Sequence, residues 1–132
     1  MIEVGGMLPP ETRAQPGAES GVSLRGLRGP QVLVAVHSPH CDGCRNYLRK
    51  LTANAMPITE WSGRIVVVLP GDVAVTPPAV VVADEWGEVY AVMHGAPDHV
   101  LPSAAEIGEC VRFVAIQCPE CEGPEGPWRT VR

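Results

Sequence analysis

QVLVAVHSPHCDGCRNYLRKL, residues 31–51, changes its period partway along. Residues 31–36, QVLVAV, are an almost unbroken β-branched apolar run, the pattern of a strand buried on both faces. From Asp42 the spacing turns helical. Tyr47, Leu48, Leu51 and Ala55 share one face, while Arg45, Arg49 and Lys50 point elsewhere. The helix is expected to run from Asp42 to about Met56, where Pro57 stops it. Cys41 and Cys44 stand at the junction, separated by Asp42 and Gly43.

Three more apolar runs follow. RIVVVLP (64–70) reads as a second buried strand and AVVVAD (79–84) as a third. DEWGEV then makes a turn, with Gly87 as its positive-φ residue, and EVYAVM (88–93) returns as the fourth strand of a hairpin. SAAEIGECVRFVAIQ (103–117) is the last helix, with Ser103 as N-cap and Glu106 three residues later in a capping box. The order β-α-β-β-β-α implies a parallel crossover followed by antiparallel strands, hence an α/β fold with a mixed sheet. VSLRGLRG (22–29) could add a short strand or turn before the core.

The chain has 132 residues, 45 % hydrophobic and 19 % charged, with a net charge of −5. One domain spanning 1–132 is expected, with a core at about 20–117 and a tail at 118–132. Only 10 Lys and Arg are present and no run of them is long, which argues against a nucleic-acid partner. No stretch approaches the ~18 apolar residues of a membrane span. The N-terminus has neither a basic n-region nor an apolar h-region, so a cytoplasmic protein is expected. In a reducing compartment, paired cysteines serve catalysis or metal binding more often than structure.

Four features together resemble the thioredoxin fold in its redoxin branch, the group of TlpA/ResA-like thiol–disulfide oxidoreductases and peroxiredoxins. VSLRGLRGPQVLVAV resembles the redoxin lead-in. CDGC sits at the strand-to-helix junction. Pro78 stands directly before the third strand, where the family has its cis-proline, and the cis bond could involve either Pro77 or Pro78. PAVVVADEWGEV carries Asp84 and Gly87 in the family's register. The resemblance implies a three-layer sandwich around a mixed sheet of about four strands, the first lying between the second and third. Two departures stand out. His40 and Asp-Gly replace the usual Trp and Pro-containing pair, and GDVAVTPP (71–78) replaces the helix between strands 2 and 3. Eight residues suffice for that link, because crossing one intervening strand spans only about 10 Å.

The chemistry at CDGC follows from its position. Cys41 at a helix N-terminus faces free N–H groups and the positive dipole end, which favour its thiolate. His40 and Arg45 would add to that effect and Asp42 would oppose it. Cys44, one turn inside, is placed to close a disulfide, and Gly43 lets the short ring close. The expected function is dithiol–disulfide exchange with a protein or small-molecule thiol or disulfide, with Cys41 attacking and Cys44 resolving. One alternative is peroxide reduction at Cys41, since Ser38 lies three residues before it as in peroxiredoxins, although Val34 takes the place of their proline. Another is a non-enzymatic homodimer in which CxxC pairs hold zinc across chains. No cofactor is otherwise expected.

Other residues carry weaker readings. Cys118 and Cys121, in CPEC, follow the last helix, whose ~22 Å length carries them away from CDGC. A second redox pair, an inter-chain role and no special role all stay open for them. His94 and His99 flank the loop after the fourth strand, where an imidazole could shuttle protons, though a solvated loop histidine is the plainer reading. His37 reads as a polar strand end and Cys110 as a buried small apolar side chain. Glu120, Glu122 and Glu125 make a solvated acidic tail, and Trp61, Trp86 and Trp128 read as packing or turn residues.

Overall fold

A computed structural model describes residues 2–8, 29–70, 73–95 and 100–117. The elements are β1 (Gln31–Ala35), α1 (Asp42–Ala53), α2 (Met56–Thr59), β2 (Arg64–Val68), β3 (Ala79–Ala83), β4 (Val89–His94) and α3 (Ala104–Ala115). The four strands form one mixed sheet in the order β2-β1-β3-β4. β1 pairs parallel with β2 and antiparallel with β3, and β3 pairs antiparallel with β4. The first strand therefore lies between the second and third, as expected.

Alternation along each strand divides the core. Val32, Val34 and Val36 of β1 and its exit, with Val80 and Val82 of β3, meet Cys44 and Leu51 of α1, Ile58 of α2 and Ile107, Cys110, Val111 and Val114 of α3. Leu33, Ala35, Val81 and Ala83 point the other way, toward Leu8, Val73 and Val75. Of the expected three-layer sandwich, the mixed four-stranded sheet and one helical layer are seen among the described residues. Among the described residues all three helices bury their apolar faces on one side of the sheet. On the second side, the described residues that pack are non-helical, Leu8, Val73 and Val75 among them. Residues 2–8 are tied there by Ile2 N–H to Ala74 O and Gly5 N–H to Val89 O, both 2.8 Å.

Three local expectations also change. α1 stops at Ala53, not near Met56. Asn54 ends it, its side-chain amide donating to Lys50 O at 2.8 Å. Pro57 does not stop that helix but sits in the first turn of α2, where a missing N–H costs nothing. β2 is not a fully buried strand: it lies at the sheet edge, with Arg64 exposed and Ile65 and Val67 half-buried.

The hairpin forms as the sequence suggests. Asp84 Oδ1 accepts from Trp86 N–H at 2.9 Å and from Glu88 N–H at 2.8 Å. Gly87 has φ +92°, a value that favours glycine. The capping box is complete: Ser103 Oγ accepts from Glu106 N–H, and Glu106 Oε1 accepts from Ser103 N–H, both at 3.2 Å. Between β2 and β3 no helix occurs among the described residues, and the peptide bond joining Pro77 to Pro78 is cis. The register matches Ala35 to Ala79 and Ala79 to His94. The exit of β1, the entry of β3 and the exit of β4 therefore share one end of the sheet.

Candidate active site at the β1–α1 junction

Cys41 is the N-cap of α1, with extended backbone (φ −73°, ψ 114°). Its Sγ accepts the N–H of Cys44 at 3.4 Å, so a sulfur takes the place usually held by a hydroxyl or carboxylate oxygen at a helix start. The carbonyl of Cys41 accepts Arg45 N–H at 2.9 Å, and its own N–H donates to Ser38 O at 3.3 Å. The second contact closes a turn that folds the chain back on itself. Cys41 is half-buried, and Cys44 on the inner side of the helix is 2 % exposed.

The returning turn brings His37 beside both sulfurs. Its Nδ1 lies 3.7 Å from Cys41 Sγ and 3.6 Å from Cys44 Sγ. Its backbone N–H donates to Cys44 Sγ at 3.4 Å. His37, expected as a plain strand end, thus supplies the imidazole that the sequence suggests for His40. In the structure His40 is exposed, with its N–H donating to Ser38 Oγ at 3.2 Å. The signal in the sequence was a histidine four residues before Cys41, across a Ser-Pro segment able to turn.

The two thiols differ in acidity. Hydrogen bonds from the Cys44 thiol and then from the Cys44 backbone N–H lower Cys41 to about 7, with smaller help from His37. Burial pushes Cys44 up to about 11, and the neighbouring Cys41 sulfur adds to the rise. One sulfur is therefore accessible and readily ionised, and the other is enclosed and protonated. That is the asymmetry a nucleophile and a resolving thiol require.

The other residues singled out in the sequence fall as follows. Pro78 is buried at the entry of β3, at the same sheet end as CDGC, and its carbonyl accepts Gly95 N–H at 2.8 Å. Asp42 and Arg45 are exposed in the first turn of α1. Ser38 Oγ is engaged by His40. His94 is exposed at the end of β4, two strands from Ala35. Cys110 is 2 % exposed in the helical core, and burial pushes its thiol up to about 12, as suits a small apolar side chain. Arg112 lies over the Trp61 ring at 5.8 Å, and Trp86 stands exposed in the hairpin turn. His99, Trp128, Glu120, Glu122, Glu125, Cys118 and Cys121 lie outside the described residues, as does the 22–28 segment.

A broad cleft begins at Gly43, inside CDGC. It runs between α1 and residues 100–106, lined by Tyr47, Leu51, Met56, Val100 and Leu101 among others. Tyr47 Oη spans it, donating to Pro102 O at 2.8 Å.

The donor atoms of His37, Cys41 and Cys44 lie within 4.8 Å of one another, so this group could hold a metal ion such as zinc. No helix among the described residues is long and apolar enough to cross a membrane. Compared with models of known families the chain matches none, and no curated protein matches it in sequence.

Proposed function

We propose that the chain is a thiol–disulfide oxidoreductase of thioredoxin-like type, exchanging a dithiol for a disulfide at Cys41 and Cys44. The observation that carries this reading is the placement of the two sulfurs: half-buried Cys41 caps α1 and accepts Cys44 N–H at 3.4 Å, while Cys44 lies one turn inside at 2 % exposure. The strand order and the position of Pro78 at the CDGC end of the sheet are in keeping with the redoxin resemblance, while the short link between β2 and β3 departs from it.

The exchange balances without a cofactor. The Cys41 thiolate attacks one sulfur of a substrate disulfide. A Cys41–substrate bond forms and the other substrate sulfur leaves as thiolate. Cys44 then gives up its proton, for which His37 Nδ1 at 3.6 Å is the nearest base described. Its thiolate attacks Cys41, closing the Cys41–Cys44 disulfide and releasing the second substrate thiol. Two electrons have moved to the substrate. The cleft lined by Gly43, Tyr47, Leu51 and Leu101 offers a surface on which a substrate protein could rest along α1. A reducing, cytoplasmic setting, as expected from the sequence, suits paired cysteines that work in exchange.

Disulfide exchange is favoured over peroxide reduction because Cys44 lies in the same helical turn, its N–H on the Cys41 sulfur at 3.4 Å, and Val34 stands where the peroxidase motif has its proline. Single-cysteine variants test the proposal. With an aromatic disulfide as substrate, Cys44→Ser should accumulate a stable mixed disulfide at Cys41, and Cys41→Ser should react at least about a hundredfold more slowly, as a buried thiol does. Equal reactivity of both variants would overturn the assignment.

A further inference from the structure

We infer that His37, Cys41 and Cys44 together form a three-donor site for zinc(II), complete within one chain, whose occupancy and the Cys41–Cys44 disulfide exclude one another. Two thiolate sulfurs and one imidazole nitrogen are a donor set suited to zinc. Their spacing fits as well. Zinc bonds of about 2.3 Å to sulfur and about 2.0 Å to nitrogen, at tetrahedral angles, hold S and N donors about 3.6 Å apart. His37 Nδ1 already stands 3.7 Å from Cys41 Sγ and 3.6 Å from Cys44 Sγ.

The surroundings support a bound cation. Each sulfur accepts one backbone N–H, Cys41 from Cys44 and Cys44 from His37, both at 3.4 Å. Such outer hydrogen bonds orient ligands and temper thiolate charge. His37 and His40 are exposed and Cys41 is half-buried, so a fourth coordination position opens to solvent or to an incoming ligand. That is the three-protein-ligand pattern of an open zinc centre, not the closed pattern of a structural one. The site needs neither a second chain nor Cys118 and Cys121. It therefore differs from a zinc bridge between the CxxC pairs of two copies.

Oxidation empties the site. When a substrate disulfide RSSR accepts two electrons from the zinc-bound thiolate pair, with two protons from solvent, the products are the Cys41–Cys44 disulfide, two RSH and free Zn²⁺. A disulfide has no thiolate to offer the ion, so the redox state of the pair sets whether zinc is held. The inference goes beyond disulfide exchange and uses the same three side chains.

The test titrates the reduced full-length chain with zinc in competition with a chromophoric chelator, and with cobalt(II) as a spectroscopic stand-in. The expected result is about one ion per chain with a thiolate-to-cobalt charge-transfer band, at a mass that stays monomeric. The band should survive in the Cys118→Ser/Cys121→Ser double variant, vanish in Cys41→Ser and in the oxidised wild type, and weaken at least about tenfold in His37→Ala. A reduced wild type without the band, binding that depends on Cys118 and Cys121, or one ion per two chains would overturn the inference. Disulfide exchange measured on the same wild-type sample in excess chelator keeps the two claims apart. Exchange without zinc binding removes the ion site alone, and zinc binding without exchange removes the oxidoreductase alone.

Discussion

His37 holds the Cys44 sulfur twice, through its backbone N–H at 3.4 Å and with its Nδ1 at 3.6 Å. The same ring reaches Cys41 Sγ at 3.7 Å, so one residue spans the nucleophile and its partner. Its place depends on the turn closed by Cys41 N–H to Ser38 O at 3.3 Å. The three-donor spacing follows from that turn, whereas the acidity of Cys41 comes first from its hydrogen bonds to Cys44.

The first prediction concerns pH. Alkylation of Cys41 in the reduced protein should rise through a midpoint near its value of about 7. Cys44→Ala removes the hydrogen bond from the Cys44 thiol, the largest cause of that lowering, and should shift the midpoint upward. Rates of carboxymethylation against pH, read by mass spectrometry at Cys41, check both. An unchanged midpoint in Cys44→Ala would place the cause elsewhere.

Stability at alkaline pH should follow the buried thiols. Cys110, raised to about 12, and Cys44, raised to about 11, keep protons in the folded state that the unfolded chain loses near 9. Their contribution is complete below about pH 9 and fades as pH rises toward those values. Cys41, lowered to about 7, has the opposite sign: its contribution is present above about 9 and lost as pH falls through 7. Urea midpoints taken with reductant should therefore fall above pH 9. Cys110→Ala should cost about 1 kcal/mol at neutral pH and lessen that alkaline fall.

Gly108 on α3 faces α2 closely: an added Cβ would lie 2.6 Å from Pro57 Cβ and 2.8 Å from Pro57 O. Alanine gains about 1 kcal/mol in helix propensity over glycine. Overpacking against a backbone carbonyl costs about 1–3 kcal/mol. The second effect should win, so Gly108→Ala is expected to lower the urea midpoint, against the usual rule for a glycine within a helix. A stabilised variant would show that α2 yields easily.

Removing the Tyr47 hydroxyl breaks the bond to Pro102 O that spans the cleft at its CDGC end. Tyr47→Phe should cost about 1 kcal/mol. Ser103→Ala, which unmakes the capping box of α3, should cost a similar ~1 kcal/mol. Both are read from chemical denaturation. Additivity in the double variant would show that the cleft hydrogen bond and the cap act independently.

Much of the architecture was legible because its signals are local. The β-branched runs of β1 and β3, the Asp84–Gly87 turn and the Ser103–Glu106 cap each act within a few residues. The helical layering was not legible. Which segment covers the Leu33 and Val81 face depends on chain far away in sequence, here Leu8, Val73 and Val75. The end of α1 was misplaced because Asn54, not Pro57, satisfies its last carbonyls. In the site, Cys41 and Cys44 announce themselves by spacing. His37 does not, since a neighbour in space four residues away is hidden until the turn at Ser38 is known, while His40 stands next to Cys41 in sequence yet is exposed.

The most direct test of the central claim is to mix the reduced full-length protein with oxidised glutathione, quench with acid and map the disulfides by peptide mass spectrometry. The account predicts an intramolecular Cys41–Cys44 disulfide reached through a transient glutathione adduct on Cys41, with Cys110 remaining a thiol. A lasting adduct on Cys41 with Cys44 still reduced, or first modification at Cys44, would contradict it.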